Sequence, residues 1–345
     1  MVSDAVSRRV TMADVAGRAN VSTAAVSKVL RNAYGVSPAM QTRVREAIAE
    51  LGYRPHAAAR GMRGQTYTIG MLLPNLRNPF FHELGEGVTE HLATTDYQAL
   101  FGTGGDAPES QSRITDAMMD RMMDGLILIA PMIARRTLET IARSVPTVVI
   151  GRHGKSPYYD AVVDDDLMGA GLVVDHLVDL GHRRIAHIEH KDPGQRAPTS
   201  MPQTVRAEGY RQAMQRRGLG AEIDVVSSTY SEAGGYTAAR ELLSRPIRPT
   251  AIFAGVDAAA IGVLNAVHEA GLRIPEDISL AGYDNTAIAA LGPISITSVD
   301  QDGQLMGANA ARFLLERIEG KRERSVVLSL SPTLVPRRST APPPT

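Results

Sequence analysis

The chain has 345 residues, too many for one ordinary core, and 43% of them are apolar, enough to build two or three globular domains. It holds no cysteine, which excludes disulfides and thiolate chemistry and fits a reducing compartment. The formal charge is zero, but up to Gln65 ten Lys and Arg stand against four Asp and Glu, a net +6, leaving twenty-seven against thirty-three, a net −6, beyond it.

A small basic head on an acidic body points to a polyanion as the head's partner, although a solvated helical face carries the same charge. The start "MVSDAVSRRVTMADVA" has no apolar run of a secretory signal, and no window approaches 18 uninterrupted apolar residues. A soluble, cytoplasmic protein without a membrane partner is expected.

Three helices are expected in the head. Thr11 caps the first, over Met12–Ala19, with Asp14 near its positive end, and Asn20 stops it. Ser22 caps a second that runs to Leu30. Pro38 opens a third, Pro38–Leu51, which Gly52 ends. Val15, Ala16, Ala19, Val21, Val26, Val29 and Leu30, with Val44, Ile48 and Leu51, form the apolar inner surface. Two helices joined by a short turn and braced by a third make a helix-turn-helix unit. The second helix, "STAAVSKVL", carries little bulk, which suits a helix entering a DNA groove about 12 Å wide. Small or hydroxyl side chains at Ser22, Thr23, Ala24 and Ser27 allow close approach, and Lys28 reaches phosphate or guanine. A plain amphipathic helix of a small bundle would look similar.

In "GYRPHAAARGMRGQTYTIG", Pro55 breaks the chain and 56–63 can form only two turns. So short a helix, weakened by Gly61, is marginal alone and needs a packing partner. Met62 stands between Arg60 and Arg63, as expected of a wedge pushed into a minor groove.

Beyond Tyr67, short apolar runs alternate with helical stretches: "TIGMLL", "YQALFG", "GLILIA", "TVVI" and "AVVD", then "RIAHIEH", "IDVVSS", "AIFAG" and "ISLAGYD". This pattern predicts parallel sheets covered on both faces, in two doubly wound α/β subdomains, with a ligand at the carboxyl ends of the strands. The polar and aromatic residues at those ends are the candidate effector site: Phe80 and Phe81 after "RNP", the run Asp164, Asp165 and Asp166, then Arg206, Asp257 and Asp284. Aromatic walls, an arginine fork and fixed carboxylates suit a polyhydroxylated or purine-like ligand. Asp164–Asp166 also fit a helix cap, and the two phenylalanines fit ordinary packing.

Other motifs carry less. "HGKSP" lacks the glycine that a phosphate loop needs, since Val149 stands there. His176, His182, His187 and His190 are not spaced as zinc ligands, and no nucleophile and base share a motif. No cofactor, no metal and no catalytic residue are expected. The tail "STAPPPT" reads as disordered and has no heptads of a tetramerising helix.

"VTMADVAGRANVSTAAVSKVL", "ELGYRPHAAARGMR", "TIGMLLPNLRNPFF", "RMMDGLILIAP" and "ISLAGYDNT", in this order, resemble successive signatures of the lactose/galactose-repressor (LacI/GalR) family of bacterial transcriptional regulators. The resemblance runs from about Val10 to Thr340. It implies a homodimeric repressor of sugar or related catabolic genes. Its recognition helices would read a pseudo-palindromic operator, and its paired hinge helices would wedge the central minor groove. By the same resemblance, Thr23, Ala24 and Lys28 read bases, while Ser22, Ser27 and Thr11 contact phosphate or lie close by, with Arg31 in the same set. Ala59 faces the minor groove from the hinge and Met62 is the wedge, where the family usually has Leu. Arg152 and Tyr230 join the effector site by family position.

The resemblance further implies a body like a periplasmic sugar-binding protein, with the chain crossing between its lobes three times, and a sugar or sugar derivative as effector. The division expected is 1–54 for the helix-turn-helix, 55–66 for the hinge helix and linker, 67–340 for effector binding and dimerisation, and 341–345 for a disordered tail. A solute-binding protein of the same body fold is the alternative, against which the basic head counts.

Overall fold

The structure is a computed structural model that describes residues 10–30, 34–53, 64–191 and 200–344. They belong to two compact units that divide between Thr66 and Tyr67. The first holds helices α1 (Met12–Ala19), α2 (Thr23–Leu30) and α3 (Pro38–Leu51). Thr11 and Asp14 form a reciprocal capping box at the start of α1, and Asn20 closes it in the left-handed conformation, with φ 51°. Ser37 caps α3 ahead of Pro38, and Gly52 ends it with φ 61°. Val15, Ala16, Ala19, Val26, Val29 and Val44 are buried, joined by Ala47 and Tyr53, while Val21, Leu30, Ile48 and Leu51 pack on them half-buried.

The second unit has two lobes. In the first, β1 (Thr68–Leu73), α4 (Phe80–Leu92), β2 (Gln98–Thr103), α5 (Pro108–Asp120), β3 (Gly125–Ile129), α6 (Arg135–Ser144), β4 (Thr147–Ile150) and β5 (Asp160–Asp164) alternate strand and helix. In the second, the sequence is α7 (Asp166–Asp179), β6 (Ile185–His190), α8 (Pro202–Arg216), β7 (Asp224–Ser228), α9 (Glu232–Leu243), β8 (Ala251–Phe253), α10 (Asp257–Glu269) and β9 (Ser279–Ala281). A short α11 (Ala287–Ala290) and β10 (Ser298–Asp300) follow. Then α12 (Gly303–Ile318) and β11 (Val327–Leu330) return to the first lobe, and β12 (Thr333–Val335) ends back in the second.

Both sheets are parallel throughout, in the orders β11-β5-β4-β3-β1-β2 and β7-β6-β8-β9. Every residue of β3 and β4 is buried, as strands covered on both faces must be. Along β1, Ile69, Met71 and Leu73 enter the core under α4 and α12, while Leu72 enters the core on the opposite face. The α4–α12 crossing is close because it is built on glycine. A Cβ at Gly87 would run into the Gln304 carbonyl, and one at Gly307 into the Leu84 carbonyl.

Two features depart from the sequence expectation. The strands β10, β11 and β12 were not foreseen, and β10 pairs with β12 in antiparallel fashion. The expected disordered tail begins as an ordered strap. The Ser339 hydroxyl donates to Leu280 O, the Ala341 N–H donates to Ser279 Oγ, and the Ala341 carbonyl accepts from buried His182. His182 and Ser279 supply polar partners that composition does not reveal.

Candidate functional site

In the head, Ser22, Thr23, Ala24 and Lys28 are exposed along α2, and Ser27 is half-buried between them. Thr23 and Ser27, and Ala24 and Lys28, are four residues apart and so share faces. The Ser22 hydroxyl accepts from the Ala25 N–H at 3.2 Å, which fixes the helix start. Thr11 is exposed, but its hydroxyl already donates to Asp14 at 2.6 Å. Arg31, Ala59, Met62 and the segment 56–63 lie outside the described residues.

In the body, the carboxyl ends of the strands of both lobes bring charged groups together. Arg206 rises from α8 and is buried. Its Nε and Nη2 donate to Asp166 Oδ1 at 3.0 and 2.7 Å, and its Nη1 donates to the Gly255 carbonyl beyond β8. The guanidinium lies 3.5 Å above the Tyr283 ring, a cation–π contact. Tyr283 in turn donates its hydroxyl to Asp164 Oδ2 at 2.6 Å. A guanidinium has five N–H groups, and the described residues use three of them and leave two. Burial opposes its charge, but the Asp166 carboxylate more than compensates, and Arg206 stays firmly cationic.

Asp284 follows β9 with φ 103°, a conformation that costs energy outside glycine and clusters at working sites. It is buried and joins the lobes, accepting from Asn78 Nδ2 of the first lobe at 3.1 Å and from Gln301 Nε2 at 2.6 Å. Burial and the neighbouring Asp257 hold its carboxyl well above the usual carboxylate range. Burial and Asp166 push Asp164 up to about 7. Asp284 and Tyr230 both lie within electrostatic reach of Arg206. Tyr230 donates its backbone N–H to His190 Nδ1, while its buried hydroxyl has no partner among the described residues.

Three expected site residues sit elsewhere or serve otherwise. Arg152 is buried and turns its Nη1 to the carbonyls of Pro131 and Ile133, so it braces the loop after β3 rather than meeting Arg206. Asp257 spends both oxygens, on Ser298 Oγ and on the N–H and hydroxyl of Thr286, which ties α10 to the segments around it. Asp165 caps α7 by accepting from Met168 N–H at 3.0 Å, the plainer of its two readings. Phe80 is buried in the core of the first lobe beside half-buried Phe81, with ring centroids 6.4 Å apart.

The sequence did not single out His153, Tyr283, Asn78 or Gln301. Asn78 lies within the quoted "RNPFF", and an amide two residues before an aromatic pair at a strand end was its available signal. Nothing in spacing marks His153.

The head matches the model described as "Bacterial regulatory proteins, lacI family" over residues 11–56, and the body matches "Periplasmic binding protein-like domain" over residues 174–340. The ribose operon repressor of Escherichia coli (strain K12) is 37% identical over 334 residues, covering 95% of this chain and 99% of that protein. Among solved structures, the lac repressor dimer bound to operator and the anti-inducer ONPF superposes with TM-score 0.81 at 26% identity, over 97% of this chain and 100% of that one. A LacI family transcriptional regulator from Enterococcus faecium with bound ribose matches with TM-score 0.70 at 29% identity, over 80% and 99%.

Proposed function

The chain belongs to the lacI family of bacterial regulatory proteins, and from that membership we propose how its residues divide the work. It is a DNA-binding transcriptional regulator under the control of a small-molecule effector, and not an enzyme. Two copies bind a pseudo-palindromic operator, one helix-turn-helix to each half-site. Thr23, Ala24 and Lys28 face base edges. Thr11, Ser22, Ser27 and Arg31 hold the phosphates, and Ala59 and Met62 enter the central minor groove from the hinge.

The effector lies between the lobes. Arg206 offers it the two N–H groups that have no partner among the described residues, Asp284 meets its hydroxyls where the lobes join, and the Tyr230 hydroxyl, unpartnered among the described residues, completes the polar set. Half-buried Phe81 walls the cleft, backed by Phe80 in the first-lobe core, while Arg152 and Asp257 keep its walls in place. A fork, a carboxylate and a phenol around a half-apolar cleft suit a small polyol, and the ribose in the E. faecium regulator makes a pentose the first probe. The observation that carries the reading is the convergence of buried Arg206, from α8, and buried Asp284, just past β9, in a two-lobed body.

Fluorescence anisotropy of the full-length protein on a palindromic DNA selected from a random library tests it. Saturable, salt-dependent binding that ribose shifts is the expected result. Absence of specific binding to any selected DNA would contradict the regulator reading. Binding that no pentose alters would remove the effector class.

A further inference from the structure

His153 follows β4 in the first lobe, yet both hydrogen bonds it makes among the described residues go to the second. Its ring Nε2 lies 2.7 Å from Asp166 Oδ2 at the head of α7, and its backbone N–H donates to Ser200 O, just before α8, at 2.8 Å. The other oxygen of Asp166 carries Arg206. One carboxylate with no exposure thus joins a first-lobe imidazole to the second-lobe guanidinium, while the imidazole itself keeps about a quarter of its surface open to solvent. That is the arrangement of a clasp whose charge solvent can change.

We propose that His153 is a proton-operated latch between the lobes. With its ring protonated it forms an ion pair with Asp166 that holds the lobes together around Arg206. With its ring neutral it keeps only a hydrogen bond and lets them part more readily. The latch rests on the reading of this cleft as the effector site and concerns the regulation of that same site.

The charged groups that face the ring among the described residues are Asp166 of α7, Asp164 at the end of β5 and Arg206 of α8. Burial works against the charged ring, but the bond to Asp166 and the charges of both carboxylates outweigh it and raise the imidazole above its ordinary value. A raised value in the closed state means the latch contributes fully below the ordinary imidazole range and fades as pH rises through the raised one. Asp164, held near about 7, changes charge in the same interval, so a test must isolate His153.

The absence of cysteine makes that test clean, because introduced cysteines are the only ones to label. Arg136→Cys on α6 and Gln215→Cys on α8 place spin labels on exposed positions of opposite lobes. Distances are measured in the full-length protein without effector from about pH 5 to about pH 8, which spans the titration of a histidine. The distribution should be short at the acid end and shift to longer distances as pH rises. His153→Gln, which retains an N–H toward Asp166 but no titratable ring, should give a distribution that does not move with pH. Asp166→Asn should abolish the shift as well, and histidine ring signals that differ between the wild type and His153→Gln should place the His153 titration at the pH of the shift. A distribution in the wild type that ignores pH overturns the proposal, as does an undiminished shift in either variant. Since no effector is present, this outcome is independent of whether ribose acts through Arg206.

Discussion

Arg206 owes its proposed role to its confinement, since the Asp166 bonds and the Tyr283 ring fix the direction in which its remaining N–H groups point. The sequence pointed to Arg206 as a candidate by its charge, and the structure places it deep inside the two-lobed body. Its partner Asp166 was legible only as one of three consecutive aspartates. The three divided, half-buried Asp165 serving as a helix cap and the other two turning inward, because successive residues leaving a strand point in different directions.

Asp164 gives this pairing a pH signature. Its carboxyl is raised from 3.8 to about 7, so between those values the unfolded chain has lost a proton that the folded body keeps. Asp164 therefore stabilises the protein fully below its unfolded value and loses that contribution as pH rises toward 7. Asp164→Asn, which still accepts from Tyr283, should flatten this fall when urea midpoints are compared across the interval. An unchanged slope would show that the carboxylate is not the group responsible. In the head, Lys28 is the one exposed cation within α2. Lys28→Ala should weaken operator binding and lower the slope of log affinity against log salt by about one, and an unaltered slope would place Lys28 off the phosphates.

Elements were readable where one physical rule dominated. β1 and β4 occupy the ranges of the runs "TIGMLL" and "TVVI", because strands buried on both faces have no polar alternative. The helices of the head were readable from their end signals, Thr11, Asn20, Pro38 and Gly52, although the Ser37 cap ahead of Pro38 went unread. β10 and β12 were not, since strands of three residues in a two-stranded ribbon are too short to show any periodicity. The strap that follows them was hidden for a related reason. Its hold comes from backbone groups and hydroxyls around His182 rather than from apolar side chains. The glycines of the α4–α12 crossing bear a sharper test. Gly307→Ala drives a methyl into the Leu84 carbonyl, backbone that cannot swing away, and should cost about 1–3 kcal/mol in urea denaturation. A neutral result would mean that the two helices separate without penalty.

For the whole molecule, the proposed cycle needs the body to exist in two arrangements that the effector binds unequally, since a ligand moves an equilibrium only by its difference in affinity. Asn78–Asp284, His153–Asp166 and the short crossings beside β5, β10 and β11 are where the lobes would change their relation. The segment 55–66 would carry that change to the DNA, with Met62 as its proposed wedge. A coupling of about 1–3 kcal/mol, five- to 150-fold in affinity, is the ordinary size for such control. Operator affinity of the full-length protein, measured by anisotropy with and without saturating ribose in the wild type and in Arg206→Ala, tests this most directly. Ribose should change wild-type affinity at least several-fold. Arg206→Ala should bind operator within a few-fold of wild type and ignore ribose. An Arg206→Ala protein that still responds to ribose as the wild type does would contradict the proposed cycle.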